Sequence, residues 1–314
     1  MTDSLPLSLG IDLGGTSVKF ALCRGPQVER ELDRLPTADF AGPEALLDGI
    51  VEQISDICPE TEPVDTLGVG VPGFVDHEQG IVHTLTNVPG WQSVPLREIL
   101  EKRTGRQVAI ANDANLMAYG EWKHGAGQGV ADLMGVTLGT GVGAGLILGG
   151  KLFAGANGGA GELGQTSVDF HGKAGTYGNT GAVEEYIGNR EFTAYAQQLY
   201  RAAGQQRTLE ECEPKHLAAA ARAGEALALH AWDYYAEHLA CCLAHACWLL
   251  NLPKIVIGGG VAAAGKVLFT PLRKRLKAQL AEPFRENLEI VPAALGNQAG
   301  VIGAAALALD QATG

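Results

Sequence analysis

No run of lysine and arginine exceeds Arg273-Lys274-Arg275 in the 314 residues. Lys and Arg total 23 against 35 Asp and Glu, a formal charge of −12. The basic footprint of a protein that lives on nucleic-acid phosphates is therefore missing. A local polyanion site built from backbone N–H groups and a metal ion remains open. No apolar stretch approaches the roughly 20 residues of a membrane span. Met1–Pro6 carries neither a basic region nor a cleavage pattern, so no export signal is read there. The six cysteines include no C-x-x-C pair. Cys241, Cys242 and Cys247 share one Ala- and Leu-rich stretch and read as small buried hydrophobes in a reducing compartment. These absences lead to the expectation of a cytoplasmic chain without nucleic-acid or membrane partners.

What the chain has in excess is glycine, 43 residues, clustered in short runs rather than at every third position. That spacing excludes a collagen helix and means tight turns and close backbone approaches. With 46% hydrophobic and 18% charged residues the composition is globular, and the length suggests two domains. Leu7–Leu13, Val18–Arg24 and Val28–Leu35 read as strands joined at Gly14–Gly15 and Gly25–Pro26. A helix over Pro43–Ile57, a strand over Asp65–Val71, a helix over Leu96–Arg103 and a strand over Gln107–Ala111 follow. The order then restarts with strands at Leu133–Leu138 and Ala144–Leu148 and a short one at Lys151–Ala154. Helices are expected at Glu191–Ala203, Glu225–Asn251, Lys266–Leu280 and Gly300–Leu309, and strands at Lys254–Ile257 and Leu288–Pro292. The restart is also a repeat: Gly10-Ile-Asp-Leu-Gly-Gly-Thr aligns with Gly135-Val-Thr-Leu-Gly-Thr-Gly. Two similar domains facing each other would leave a ligand cleft between them; a chance match of glycine-rich hairpins is the alternative.

Three glycine motifs suit a nucleotide. In Asp12-Leu-Gly-Gly-Thr-Ser-Val-Lys19, the turn Gly14, Gly15 and Thr16 can present N–H groups and a hydroxyl to a phosphate. Asp12 can hold magnesium through water, and Lys19 can add a cation. Thr140 and Gly141 occupy the matching turn of the second half. Gly258–Gly260 follow a strand, where a base or ribose can lie on bare backbone. Plain hairpins and close strand–helix packing explain the same glycines without a ligand. Two further patterns are decoys. Gly260-x4-Gly265-Lys266 ends in Val267, which has no hydroxyl for a P-loop magnesium, and Gly68-x-Gly70-x-x-Gly73 contains Pro72 with no clear helix after it.

Asn112-Asp113-Ala-Asn115 sits where a strand gives way to a helix, a place that projects polar side chains. Asp113 there is either a general base for an attacking hydroxyl or a helix N-cap. Asn87, Glu162 and Glu184 stand in glycine-rich loops, where amides and carboxylates suit a polyol or simply a turn. His238, Cys241, Cys242 and His245 lie at helical spacing and read as one partly buried helix rather than a metal site.

The whole set resembles the ROK family of bacterial sugar kinases and repressors, close to its glucokinases. The resemblance rests on Leu9–Lys19, Gly68–Gly73, Asn87–Trp91, Asn112–Asn115, Leu138–Gly145, Gly158–Gln165, Gly178–Tyr186 and Ile255–Val261. It implies an α/β, actin/hexokinase-type (RNase H-like) fold of two lobes with a cleft. The expected lobes are 1–112, completed by a C-terminal helix at 298–314, and 113–297. It implies Asp113 as catalytic base, and Asp12, Gly14, Gly15, Thr16, Lys19, Thr140, Gly141, Gly259 and Gly260 around ATP and magnesium. It implies Gly73, Asn87, Asn112, Asp113, Glu162, Gln165 and Glu184 around a hexose, glucose first. Mannose, an N-acetylhexosamine or fructose are the other acceptors, polyphosphate the other donor, and a non-catalytic sugar sensor the remote reading. A homodimer is implied as well. The family's usual zinc ligands are replaced by Gln165, Gly175, Tyr177 and Ala182, none of which can rebuild a thiolate–imidazole site. No zinc is therefore expected, and the loop must be held by packing and hydrogen bonds.

Overall fold

The computed structural model describes residues 5–58, 63–85 and 88–313. In chain order the elements are β1 (Leu7–Leu13), β2 (Ser17–Arg24), β3 (Gln27–Glu31), β4 (Leu35–Pro36), α1 (Pro43–Ile57), β5 (Thr66–Val71), β6 (Val75–Asp76), β7 (Ile81–Val82), α2 (Leu96–Thr104), β8 (Gln107–Asn112) and α3 (Asp113–His124). Next come β9 (Leu133–Leu138), β10 (Val142–Leu148), β11 (Lys151–Leu152), α4 (Glu184–Ile187), α5 (Asn189–Ala202), α6 (Pro214–Arg222) and α7 (Ala226–Leu250). The chain ends with β12 (Lys254–Gly258), α8 (Lys266–Ala278), α9 (Glu282–Arg285), β13 (Glu289–Pro292) and α10 (Ala299–Thr313). They form two compact units. One comprises Met1–Ala131, Gly145–Gly161 and Ala293–Gly314, the other Asp132–Ala144 and Glu162–Pro292.

The first unit is built on a sheet in the order β3-β2-β1-β5-β8, with β4 also on β2. β1 and β2 are antiparallel, and β5 and β8 join in parallel. Alternation along β1 explains its two faces. Leu7, Leu9, Ile11 and Leu13 enter the core shared with Leu46, Leu47, Ile50 and Ile54 of α1 and Leu96 and Leu100 of α2. Gly10 and Gly68 lie under α10 instead: a Cβ on either would stand 1.9 Å from the carbonyl of Val301 or Ala304. α10 meets α3 the same way, since a Cβ on Gly303 would stand 1.9 Å from the Leu116 carbonyl. A Cβ on Gly70 would stand 3.0 Å from the Leu116 side chain of α3, so Gly68 and Gly70 serve helix–sheet packing, which accounts for the dinucleotide-like spacing.

The division differs from the one expected at residues 112 and 113. α3 stays in the first unit because its glycine-to-backbone seat is on α10. The buried Glu121 reinforces this by accepting the N–H groups of Ala126 at 2.8 Å, Ala294 at 3.0 Å and Leu295 at 2.7 Å. The strand expected over Val28–Leu35 is two pieces, β3 and β4, separated by Leu32–Arg34, with a register shift at Leu22/Cys23. The short strand expected over Lys151–Ala154 covers Lys151–Leu152 only.

In the second unit β12 is parallel to both β9 and β13. The 25-residue α7 is its spine. Phe192 on α5 meets Trp232 and Tyr235 on α7 edge-to-face with centroids 5.3 and 4.9 Å apart, a geometry worth about 0.5–1.5 kcal/mol per pair beyond area burial; Trp232 and Tyr235 lie tilted at 41° to each other.

Candidate active site

Asp113 opens α3, but it does not cap it. The N-cap is Asn112, whose Oδ1 accepts the N–H of Ala114 at 2.9 Å and of Asn115 at 3.4 Å. Asn112 also donates from Nδ2 to the Gly73 carbonyl at 3.0 Å, and Gly73 has φ +78°, a conformation that favours glycine. With capping done by its neighbour, Asp113 occupies the first helical position with its side chain exposed, and its Oδ1 accepts the Ala114 N–H at 2.8 Å. Gly73, Asn112 and Asp113 are thus brought together. Asn87 lies outside the described residues.

The first glycine turn joins β1 to β2. Gly14 donates its N–H to the Ser17 carbonyl at 3.0 Å, so this glycine closes the hairpin instead of offering its donor to a ligand. Thr37 holds the turn from outside: its N–H bonds Thr16 O and its hydroxyl bonds Gly15 O, both at 3.0 Å. Thr37 is distant in sequence, and nothing local marks it. Thr16 is exposed. Asp12 and Lys19 are cross-strand partners in the β1–β2 register and form an ion pair of 2.8 Å. A part-exposed carboxylate with a second oxygen is a hard donor suited to magnesium.

The second unit holds its own cluster. The turn between β9 and β10 is closed by Gly139 N–H to Gly141 O at 3.0 Å, and Asn189 N–H bonds Gly139 O at 3.1 Å. Thr140 is exposed at its tip. Glu184, at the start of α4, places Oε2 2.9 Å from the Val142 N–H. It fits only because Gly141 and Gly164 have no side chains: a Cβ would stand 2.2 Å and 3.1 Å from that oxygen. Gln165 Nε2 lies 3.4 Å from Glu184 Oε1, while Gln165 Oε1 is buried without a partner among the described residues. Glu162 is exposed at its surface, yet packed neighbours desolvate its carboxyl and raise its pKa, with the charge of Glu184 adding to the rise. Glu162, Gln165, Glu184, Thr140 and Gly141 therefore form one polar group. Gly164 and Asn189 belong to it as well; Gly164 lies within the motif, but only the packed structure shows what its missing side chain makes room for.

Gly259 and Gly260 are exposed at the end of β12. Gly259 has φ +83° and a Cβ there would stand 2.2 Å from Leu138 O, whereas a Cβ on Gly260 would meet open space. Gly259 is thus needed by the backbone, and Gly260 leaves an open shelf. The segment where zinc ligands were sought is closed by hydrogen bonds. Asn179 Nδ2 donates to Gln165 O at 2.8 Å, Gly175 N–H to Asn179 O at 2.8 Å, and Gly181 N–H to Lys173 O at 2.7 Å.

The chain is 34% identical to a glucokinase of Thermotoga maritima over 98% of both chains. It is equally 34% identical to an N-acetyl-D-glucosamine kinase of Photobacterium profundum, over 95% of this chain and 98% of that one. The crystal structure of a ROK family glucokinase from Streptomyces griseus, in complex with glucose and AMPPNP, superposes with a TM-score of 0.80 at 31% identity, covering 97% of this chain and 99% of that one. The fold is the actin/hexokinase type, and the protein is a sugar kinase. More narrowly, the chain belongs to the ROK family, whose model matches residues 8–311.

Proposed function

We propose that the protein transfers the γ-phosphoryl group of ATP to the 6-hydroxyl of glucose, with Asp113 as general base. The observation that carries this reading is the division of labour at the start of α3. Asn112 is the N-cap, and the Asp113 carboxylate beside it stands exposed at the first helical position, its Oδ1 accepting the Ala114 N–H. Phosphoryl transfer asks the protein mainly to position groups and offset charge. Asp113 accepts the hydrogen bond of the sugar hydroxyl and takes its proton as the new O–P bond forms. The bond between the γ-phosphorus and its bridging oxygen breaks, and ADP leaves. Gly15, Thr16, Thr140 and Gly141 hold phosphate oxygens, Lys19 adds a cation, and Gly259 and Gly260 receive the adenosine. Magnesium, held near Asp12, would neutralise phosphate charge. Gly73, Asn87, Asn112, Glu162, Gln165 and Glu184 hold sugar hydroxyls.

The equal identity to a glucokinase and an N-acetyl-D-glucosamine kinase leaves the acceptor to be decided by Gln165, Glu162 and Glu184, not by overall likeness. A coupled assay over glucose, mannose, fructose and N-acetylglucosamine, each with ATP and with polyphosphate, tests the reading. Glucose with ATP is expected to give the highest kcat/KM; a higher value for another pair replaces it. Asp113→Asn is expected to fold normally and to lose ~10²–10⁴-fold in kcat, the usual contribution of a positioned base. Near-normal turnover would remove Asp113 from that role.

A further inference from the structure

The polar group around Gln165 and Glu184 hangs on a column of rings. Tyr195 of α5 stacks on Tyr234 of α7 with centroids 3.7 Å apart and planes at 13°. His238, one turn further along α7, lies 4.1 Å from Tyr234. On its other side His238 stacks on Tyr186 of α4 at 4.8 Å and 22°. Lys173 closes the column with Nζ 4.8 Å from the Tyr186 centroid. The column reaches the polar group by short routes. Tyr186 is two residues past Glu184 on the same turn of helix. Its hydroxyl accepts the Lys173 N–H at 3.1 Å, in a niche that exists because Gly172 has no Cβ, which would stand 1.9 Å from that oxygen. Lys173 Nζ in turn donates to Glu185 O at 2.6 Å, and Lys173 O receives Gly181 N–H at 2.7 Å. The same strap contains Asn179, which clamps the Gln165 carbonyl. His238 is fixed within the stack, because a carbonyl only accepts: its Nδ1–H donates to Tyr234 O at 2.9 Å. Burial lowers the His238 pKa, which favours the neutral ring between its neighbours.

We propose that His238 is a positioning residue: its ring, held between Tyr234 and Tyr186, fixes the strap from Gln165 to Glu185 and thereby aims Gln165 and Glu184 at the sugar. The last clause rests on the sugar-kinase reading above; the first stands without it. The contribution of one stacked pair, about 0.5–1.5 kcal/mol, corresponds to up to roughly a tenfold change in an equilibrium constant.

The test uses the full chain with His238→Leu, which keeps bulk and removes the ring, and His238→Phe, which keeps the ring. Hydrogen–deuterium exchange reads the strap without requiring turnover. His238→Leu is expected to speed exchange of amides 166–182 about tenfold, and His238→Phe to match wild type. With the best hexose, His238→Leu is expected to raise the sugar KM about tenfold while kcat and the ATP KM stay within about twofold; a merely structural role would lower the folded fraction and leave KM unmoved. If the leucine variant does not fold, Lys173→Met at the exposed end of the column is expected to speed strap exchange about threefold. Wild-type exchange in whichever of these two is read, or a phenylalanine variant as loose as the leucine one, overturns the proposal. A wild type that phosphorylates no hexose sinks the sugar-kinase reading alone, since the exchange result still decides whether the rings hold the strap.

Discussion

At the scale of single residues, two substitutions separate chemistry from packing. Glu162 has its pKa raised by desolvation and by Glu184, so the folded chain holds its proton to higher pH than the unfolded chain. With more protons bound in the folded state, stability falls as pH rises through the window from the ordinary glutamate value upward. Urea midpoints measured across that window are expected to decline in wild type, with the decline reduced in Glu162→Gln. Gly141→Ala is the second. Its Cβ would stand 2.2 Å from Glu184 Oε2, the far end of a flexible side chain, so the carboxylate gives way and not the backbone. The expected result is a sugar KM raised about tenfold, the equivalent of ~1.4 kcal/mol, with the thermal midpoint little changed. An unchanged KM would mean that Glu184 contributes nothing to sugar binding.

At the scale of elements, the α3–α10 crossing gives a stability prediction. Gly303→Ala gains about 1 kcal/mol in helix propensity, but its Cβ would stand 1.9 Å from the Leu116 backbone carbonyl, which cannot rotate away. Overpacking of this kind costs about 1–3 kcal/mol or more, so the clash wins. The urea midpoint is expected to drop, and a midpoint at or above wild type contradicts the packing described. The elements were legible in the sequence wherever one period dominated. β1 and β9 fall on the expected residues because each is a mostly apolar run that stops at a glycine, and α1 because its apolar residues recur at helical spacing behind Gly42–Pro43. α6 escaped notice: its Ala218–Ala221 run carries no polarity contrast, and its burial comes from contact with α7, which no local pattern encodes. Asp113 was legible as a chemical group, but its place at the first helical position, behind Asn112 as N-cap, was not. Asp and Asn both suit an N-cap, and only the backbone shows that Asn112 takes the position. The zinc-ligand replacements were equally plain from residue types. The ring column was not, because its members are spread from residue 173 to residue 238 and meet only through α4, α5 and α7.

At the scale of the whole molecule, no group of three His, Cys, Asp or Glu side chains arranged to hold a metal occurs among the described residues. On the proposed mechanism a chelator in excess is expected to stop turnover, by removing magnesium from the phosphates, and to leave the thermal midpoint within about 1 °C of its starting value. A large fall in the midpoint would reveal a structural metal. The seat of α10 on β1 and β5 has a further consequence, for birth rather than for operation. Val301 and Ala304 cover Gly10 and Gly68, so β1 acquires its cover from residues made about 290 positions later. At roughly 5–20 residues per second on a ribosome, that sheet face waits on the order of 15–60 s for its lid. During that interval the nascent protein is a ready client for chaperones.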